Sequence, residues 1–111
     1  MKVNKELVKG STVILILTLL SEKAMYGYEM SKAIEAKSNG VFAFKEGTLY
    51  PILHSLEAEG AIEAYWSEAD SGRKRKYYQI TKKGTSLLKE KKEEWIMFRR
   101  AMTQVLGEGS V

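Results

Sequence analysis

Two short stretches of this chain carry the residues that could do chemistry. The first is Gly72-Arg73-Lys74-Arg75-Lys76, four adjacent cations after a glycine. The second is Glu46 to Glu59 (EGTLYPILHSLEAE), where Leu49, Ile52, Leu53 and Leu56 recur at helical spacing. At about 100° per residue, the face opposite that apolar stripe carries Gly47, Pro51, His54 and Ala58, with Thr48, Tyr50 and Ser55 on its shoulders. No acid stands on this face between Glu46 and Glu57. Small residues and hydrogen-bonding side chains, presented by a helix whose N-terminus offers free N–H groups, suit close approach to base edges and phosphates. Strand alternation sends Arg73 and Arg75 to one side and Lys74 and Lys76 to the other, so the four cations do not face one phosphate together. Four neighbouring cations repel one another unless an anion is their normal partner. The chemistry implied is recognition of an anionic polymer, not bond making.

Covalent chemistry finds little support. There is no cysteine, and His54 is the one histidine. A thiolate or multi-histidine metal site is thereby excluded, and no nucleophile or carboxylate partner for His54 is identifiable. Neither an enzyme nor a cofactor is expected.

The elements that must position these groups are short and closely spaced. Leu7 to Leu20 reads as a first helix, apolar on nearly every side in its later half, which requires more than one neighbour, a second subunit among the possibilities. Ser21-Glu22-Lys23 ends it. Tyr26 to Lys37 reads as a second helix, with Tyr26, Met30, Ala33 and Ile34 inward and Lys32, Glu35 and Lys37 outside the stripe. Ser38-Asn39-Gly40 stops it, and Val41 to Phe44 reads as a short strand. In the third helix Thr48 is expected to cap the N-terminus, placing Pro51 in the first turn, and Gly60 to end it. Ile62 to Trp66 and Lys76 to Ile80 read as the strands of a hairpin around the turn Glu68 to Gly72. Thr81 then caps a long last helix from Lys82 to about Leu106, and Gly107 to Val111 read as a frayed tail. In the last helix Leu88, Trp95 and Met102 recur every seven residues, with Phe98 and Val105 at a second heptad position that Lys91 interrupts. That seam predicts packing against a partner helix and the first helix.

A chain of 111 residues with 44% hydrophobic and 29% charged residues is expected to form one compact unit, divided as a helix-turn-helix with its hairpin over 1–80 and a last helix over 81–111. The net charge of +4 favours an anionic partner. Val13 to Leu20 is the only strongly apolar run, far shorter than the roughly 20 residues a bilayer requires. Lys2 and Lys5 precede it, but no small-x-small cleavage pattern follows. A buried helix of a cytoplasmic protein without membrane contact is expected.

Taken jointly, three groups of residues resemble the PadR family of bacterial transcriptional regulators along nearly the whole chain. They are Tyr26-Gly27-Tyr28-Glu29, then Gly47-Thr48-Leu49-Tyr50-Pro51 with Leu53, Leu56-Glu57 and Glu59-Gly60, and lastly Gly72 to Tyr78 leading into Ile80-Thr81 and Gly84. The resemblance implies a mainly helical fold with a small β-hairpin, a winged helix-turn-helix plus a C-terminal dimerisation helix. It implies a homodimer that binds double-stranded DNA at a pseudo-palindromic operator and represses transcription until an effector releases it. The candidate DNA contacts are Tyr28, Lys32, Gly47, Thr48, Tyr50, Pro51, His54, Arg73, Lys74, Arg75 and Lys76. A single helix beyond the hairpin resembles the short, multidrug-binding members, in which a tryptophan from each subunit sandwiches a flat aromatic molecule. Trp95 stands at the corresponding place, and Phe98 and Met102 join it as effector-binding candidates. Arg99 and Arg100 depart from the acidic character of those pores. Trp95 either stacks on a ligand or only packs at an interface, and the sequence leaves both open. A module of the same fold that binds protein and not DNA is the alternative function, against which the basic hairpin and acid-free helix face argue.

Overall fold

A computed structural model describes the chain over residues 9–68 and 72–107. A 3-10 turn, Lys9–Ser11, leads into α1 (Thr12–Glu22). β1 (Met25–Tyr26) and α2 (Gly27–Lys37) follow, then α3 (Glu46–Ala58), β2 (Ile62–Glu68), β3 (Lys74–Ile80) and α4 (Lys82–Leu106). Helix α1 starts later than the expected Leu7, because Gly10 is a poor helix former and the chain turns more tightly there. It runs on to Glu22 at its other end. Residues 7 and 8 of the expected helix lie outside the described residues, as do 69–71 of the turn and 108–111 of the tail.

The core is built where the apolar stripes meet. Ile16, Leu17, Leu19 and Leu20 of α1 are buried with Met30 and Ile34 of α2 and Leu49, Leu53 and Leu56 of α3. Ala61, Ile62, Tyr78 and Leu88 close it from the hairpin and α4. Helix α1 packs against α2, β3 and α4, which meets the expectation that its all-round apolar surface needs several neighbours.

The sheet has three strands and not two, in the order β1-β3-β2, all antiparallel. Tyr26 was expected inside the second helix. It is the residue that caps α2, and with Met25 it pairs to the open edge of β3, Met25 opposite Tyr78 and Tyr26 opposite Tyr77. In the hairpin Ile62 faces Ile80, Trp66 faces Lys76 and Glu68 faces Lys74. Both strands extend two residues further toward the turn than expected, where Gly72 adopts φ 82°.

Two other expectations are corrected. Val41 to Phe44 is not a strand. The Ser38 hydroxyl accepts from the Phe42 N–H at 3.0 Å and folds the segment into a turn, so that Phe42 and Phe44 lie against the core. Thr48 does not cap α3: Lys45 does, and the Thr48 and Leu49 N–H groups both donate to its carbonyl, at 3.0 and 3.1 Å. Glu46 thereby enters the first turn, where its carboxylate complements the helix dipole. Pro51 falls one turn deeper than expected and leaves the Gly47 carbonyl without its usual helical N–H partner.

One knot joins the hairpin to α4. The Thr81 hydroxyl donates to the Gly60 carbonyl at 2.6 Å and caps α4 by accepting from the Gly84 N–H at 3.1 Å. Gly84 is pressed on the Ala61 carbonyl, which a Cβ there would overlap, with Ile80 Cγ1 at 2.7 Å behind it. Gly84→Ala is therefore expected to destabilise by about 3 kcal/mol, despite the better helix propensity of alanine. Thermal unfolding checks this, as a fall of roughly 10 °C or more.

Candidate nucleic-acid interface

The outer face of α3, the start of α2 and the hairpin meet in an open cleft of about 360 Å³, lined by Tyr26, Gly27, Tyr50, His54, Trp66, Arg75, Lys76 and Tyr78. Helix α3 supplies Tyr50 and His54, four residues apart, whose rings stack at 6.4 Å with 27° between their planes. The Tyr50 ring lies on the first residue of α2. A Cβ at Gly27 would sit 2.8 Å from the Tyr50 oxygen and 2.9 Å from its Cε1, so only glycine lets the two helices close this far. Desolvation by burial pushes the Tyr50 phenol above its ordinary value of 10.0, and the charges of Glu46 and Tyr78 add to it. The phenol is thus a neutral donor at physiological pH. The folded state holds that proton more tightly than the unfolded chain, so the linked stability is complete at neutral pH and is lost as pH rises beyond 10.0.

The hairpin cations divide by face, as alternation requires, but the two faces use them differently. Arg75 shares the outer sheet face with Tyr26, Tyr65 and Tyr77, whose rings form a ladder of 5.4 and 5.7 Å centroid spacings. Its guanidinium lies 4.5 Å over the Tyr26 ring and donates from Nη1 to the Tyr26 oxygen at 3.1 Å. Lys76 points inward, 5.4 Å from the Tyr78 ring, with Nζ 3.5 Å from Glu57 Oε1. Arg73 and Lys74 are exposed near the tip.

Tyr50, His54, Arg75 and Lys76 are therefore brought together. Gly47, Thr48 and Pro51 stand exposed on the same helix outside the cleft, and Arg73 and Lys74 lie further along the hairpin. Tyr28 and Lys32 sit on α2 outside the cleft, the ammonium 5.5 Å over the tyrosine ring. Four lining residues were not among the expected contacts: Tyr26, Gly27, Trp66 and Tyr78. Trp66 is 66% exposed and faces Lys76 across the ladder. Its phase on the strand could be foreseen from alternation, but its partner could not, because the turn length sets the register. Among the described residues no group of acids and histidine is placed to hold a metal ion.

The expected effector residues lie elsewhere. Trp95, Phe98 and Met102 are exposed on α4, 40%, 61% and 44% respectively, with the Arg99 guanidinium 5.1 Å over the indole.

A helix with a donor-rich, acid-free outer face beside a basic hairpin, on a three-helix core, defines a winged helix-turn-helix DNA-binding protein. Residues 16–90 match the transcriptional regulator PadR-like family, and the chain belongs to that family. It is accordingly a DNA-binding transcriptional regulator. It is 42% identical over 93 residues to an uncharacterised protein of Lysinibacillus sphaericus, covering 84% of this chain and 85% of that one. Its fold is similar to that of a solved transcriptional regulator from Clostridium thermocellum, with TM-score 0.83, 36% identity and 89% and 96% of the two chains covered. It is also similar to a PadR-like regulator from Bacillus cereus, with TM-score 0.80, 35% identity and coverage of 91% and 96%.

Gly27→Ala is expected to push Tyr50 off α2, lowering stability by about 1–3 kcal/mol and duplex affinity with it. Adding Tyr50→Leu makes room for the new methyl and restores the urea midpoint. It does not restore binding in a fluorescence anisotropy titration.

Proposed function

We propose that the chain is a homodimeric repressor that reads a pseudo-palindromic operator and is released by a small, flat aromatic effector at the dimer interface. The face described above carries the DNA half of the reading. Two copies of α3 enter successive major grooves about one helical turn apart, leading with Thr48, Tyr50 and His54, while the hairpin cations hold the flanking phosphates. Tyr28 and Lys32 contact the backbone from α2.

The single observation that favours a dimer is the far half of α4. The molecule measures 54 × 31 × 21 Å and its radius of gyration is 15.5 Å, against about 13 Å for a compact chain of this length. The helix carries an apolar surface out from the core, with Met97 at 72% and Val105 at 86% exposure beside Phe98 and Leu106. So many large apolar groups at one end are characteristic of a surface that a partner covers. Residues 1–80 are then the reading head and 81–111 the assembling helix. Trp95, Phe98 and Met102 follow one another at one-turn spacing along α4 and supply exposed apolar surface on which an aromatic molecule can stack, in exchange for the Arg99 guanidinium over the indole. An effector that binds one relative pose of the two heads better than the other shifts operator affinity by that difference. The multidrug-binding members of the family are the proposed likeness.

Binding to duplex DNA from the chain's own upstream region should weaken steeply with salt. Changing Arg73, Lys74, Arg75 and Lys76 together to alanine should reduce the slope of log K against log salt by roughly two to four, since each phosphate contact contributes about 0.9. A flat salt response, or an unchanged slope in the variant, would sink the assignment of this face. For the effector, Trp66→Phe leaves Trp95 as the only indole, and titration with flat aromatic compounds should quench its fluorescence. If none quenches, Trp95 is an interface residue alone.

A further inference from the structure

We infer that Glu57 is an internal competitor for the hairpin cation Lys76, so that the protein carries its own brake on phosphate binding. The inference rests on the DNA reading of the α3 and hairpin face and adds a residue that opposes binding. Three ion pairs occur among the described residues. Two of them, Lys23–Glu29 at 3.1 Å and Lys37–Glu22 at 3.2 Å, fasten α2 to the end of α1 and the link beyond it. Only Lys76–Glu57, at 3.5 Å, crosses from the hairpin to the reading helix. Both side chains are about one-third exposed, so the pair is shielded enough to matter and open enough to exchange.

The placement makes the exchange consequential. Lys76 lines the same cleft as Tyr50 and His54, where a phosphate flanking the inserted helix would lie. Its ammonium is held between the Tyr78 ring and the Glu57 carboxylate, a bound acid standing where a phosphate oxygen could stand. Glu57 is also the first acid after Glu46 along α3, at the end of the acid-free face and one turn beyond His54. To contact phosphate, Lys76 must leave Glu57, which then stays behind as an unpaired negative charge beside the duplex. Both consequences weaken binding. They weigh most on sequence-independent contacts, where phosphate attraction is nearly the whole interaction.

The test uses a labelled duplex of mixed sequence and the full-length protein, with Glu57→Gln, Glu57→Asp, Lys76→Ala and the Glu57→Gln/Lys76→Ala double variant. Affinity is read by anisotropy at about 0.1 M salt, after circular dichroism has confirmed the fold of each variant. Glu57→Gln should bind about fivefold tighter than the parent, the upper end of what releasing a partly exposed ion pair supplies. Glu57→Asp keeps the charge but withdraws it by one methylene, and should gain about twofold. The Glu57→Gln gain should fall to about twofold or less once Lys76 is alanine, because the ion pair is then already gone and only repulsion of the duplex by Glu57 remains to be relieved. An equal gain in both Lys76 backgrounds would mean plain charge removal and overturn the competitor role. No gain in Glu57→Gln would overturn it as well. A parent protein that fails to bind any duplex would instead refute the DNA reading itself, and the inference with it.

Discussion

The alternation of strand β3 is the constraint on which the rest of the molecule depends. It is the central strand, with β1 on one edge and β2 on the other. Its even-numbered residues turn inward: Tyr78 is 1% exposed, Ile80 packs beside it, and Lys76 emerges at the seam with α3. Its odd-numbered residues turn outward, placing Arg75 and Tyr77 on the tyrosine ladder. A slip of one residue would drive Arg75 and Tyr77 into the core and expel Tyr78. Burial of one large phenol therefore fixes how each cation reaches the cleft, Lys76 at the seam with α3 and Arg75 over the Tyr26 ring.

That assignment changes the meaning of the basic run. As a sequence, Arg73 to Lys76 looks like four equivalent phosphate hooks. In the fold they form a gradient. Arg73 and Lys74 are exposed, Arg75 is drawn over the Tyr26 ring, and Lys76 is held by Glu57. The repulsion that four neighbouring cations would suffer is relieved by an aromatic face, an acid, and Glu68 opposite Lys74 on the ladder. Arg75 and Lys76 also attach the hairpin to α2 and α3, so the angle of the wing is tied to the same side chains that would reach for phosphate. In the proposed DNA complex, affinity and hairpin pose would in this way be coupled through single residues.

Most of this architecture was legible in the sequence because periodicity survives burial. The stripe Leu49, Ile52, Leu53 and Leu56, the Thr81 cap, and the stops at Gly40 and Gly60 each express a local rule. What escaped belongs to non-local geometry. A two-residue strand such as β1 has no period of its own, and it exists only because β3 offers an open edge. Thr48 is a better capping residue than Lys45 by side-chain chemistry. Yet starting the helix at Glu46 sets an acid at the positive end of the dipole, and no side-chain hydrogen bond is made at the cap. The cleft was half visible: the helix side follows from a helical wheel, whereas Gly27, Trp66 and Tyr78 enter through helix crossing and hairpin register, which no local pattern encodes.

The same knot that ends the hairpin decides how α4 can communicate with the reading face. Thr81 follows β3 directly, and its hydroxyl and N–H are bonded to the Gly60 and Ala61 carbonyls just beyond α3. Gly84 is locked against that same Ala61 carbonyl. The start of α4, the end of α3 and the base of the hairpin are thus fastened to one another. Helix α4 spans 25 residues, about 37 Å at 1.5 Å per residue, so a small tilt at its far end becomes a rigid displacement of the whole head. In the proposed dimer, an aromatic molecule inserted near Trp95 would act by respacing two intact heads. Groove spacing on DNA is fixed, and a respaced pair loses contacts without either head having to unfold.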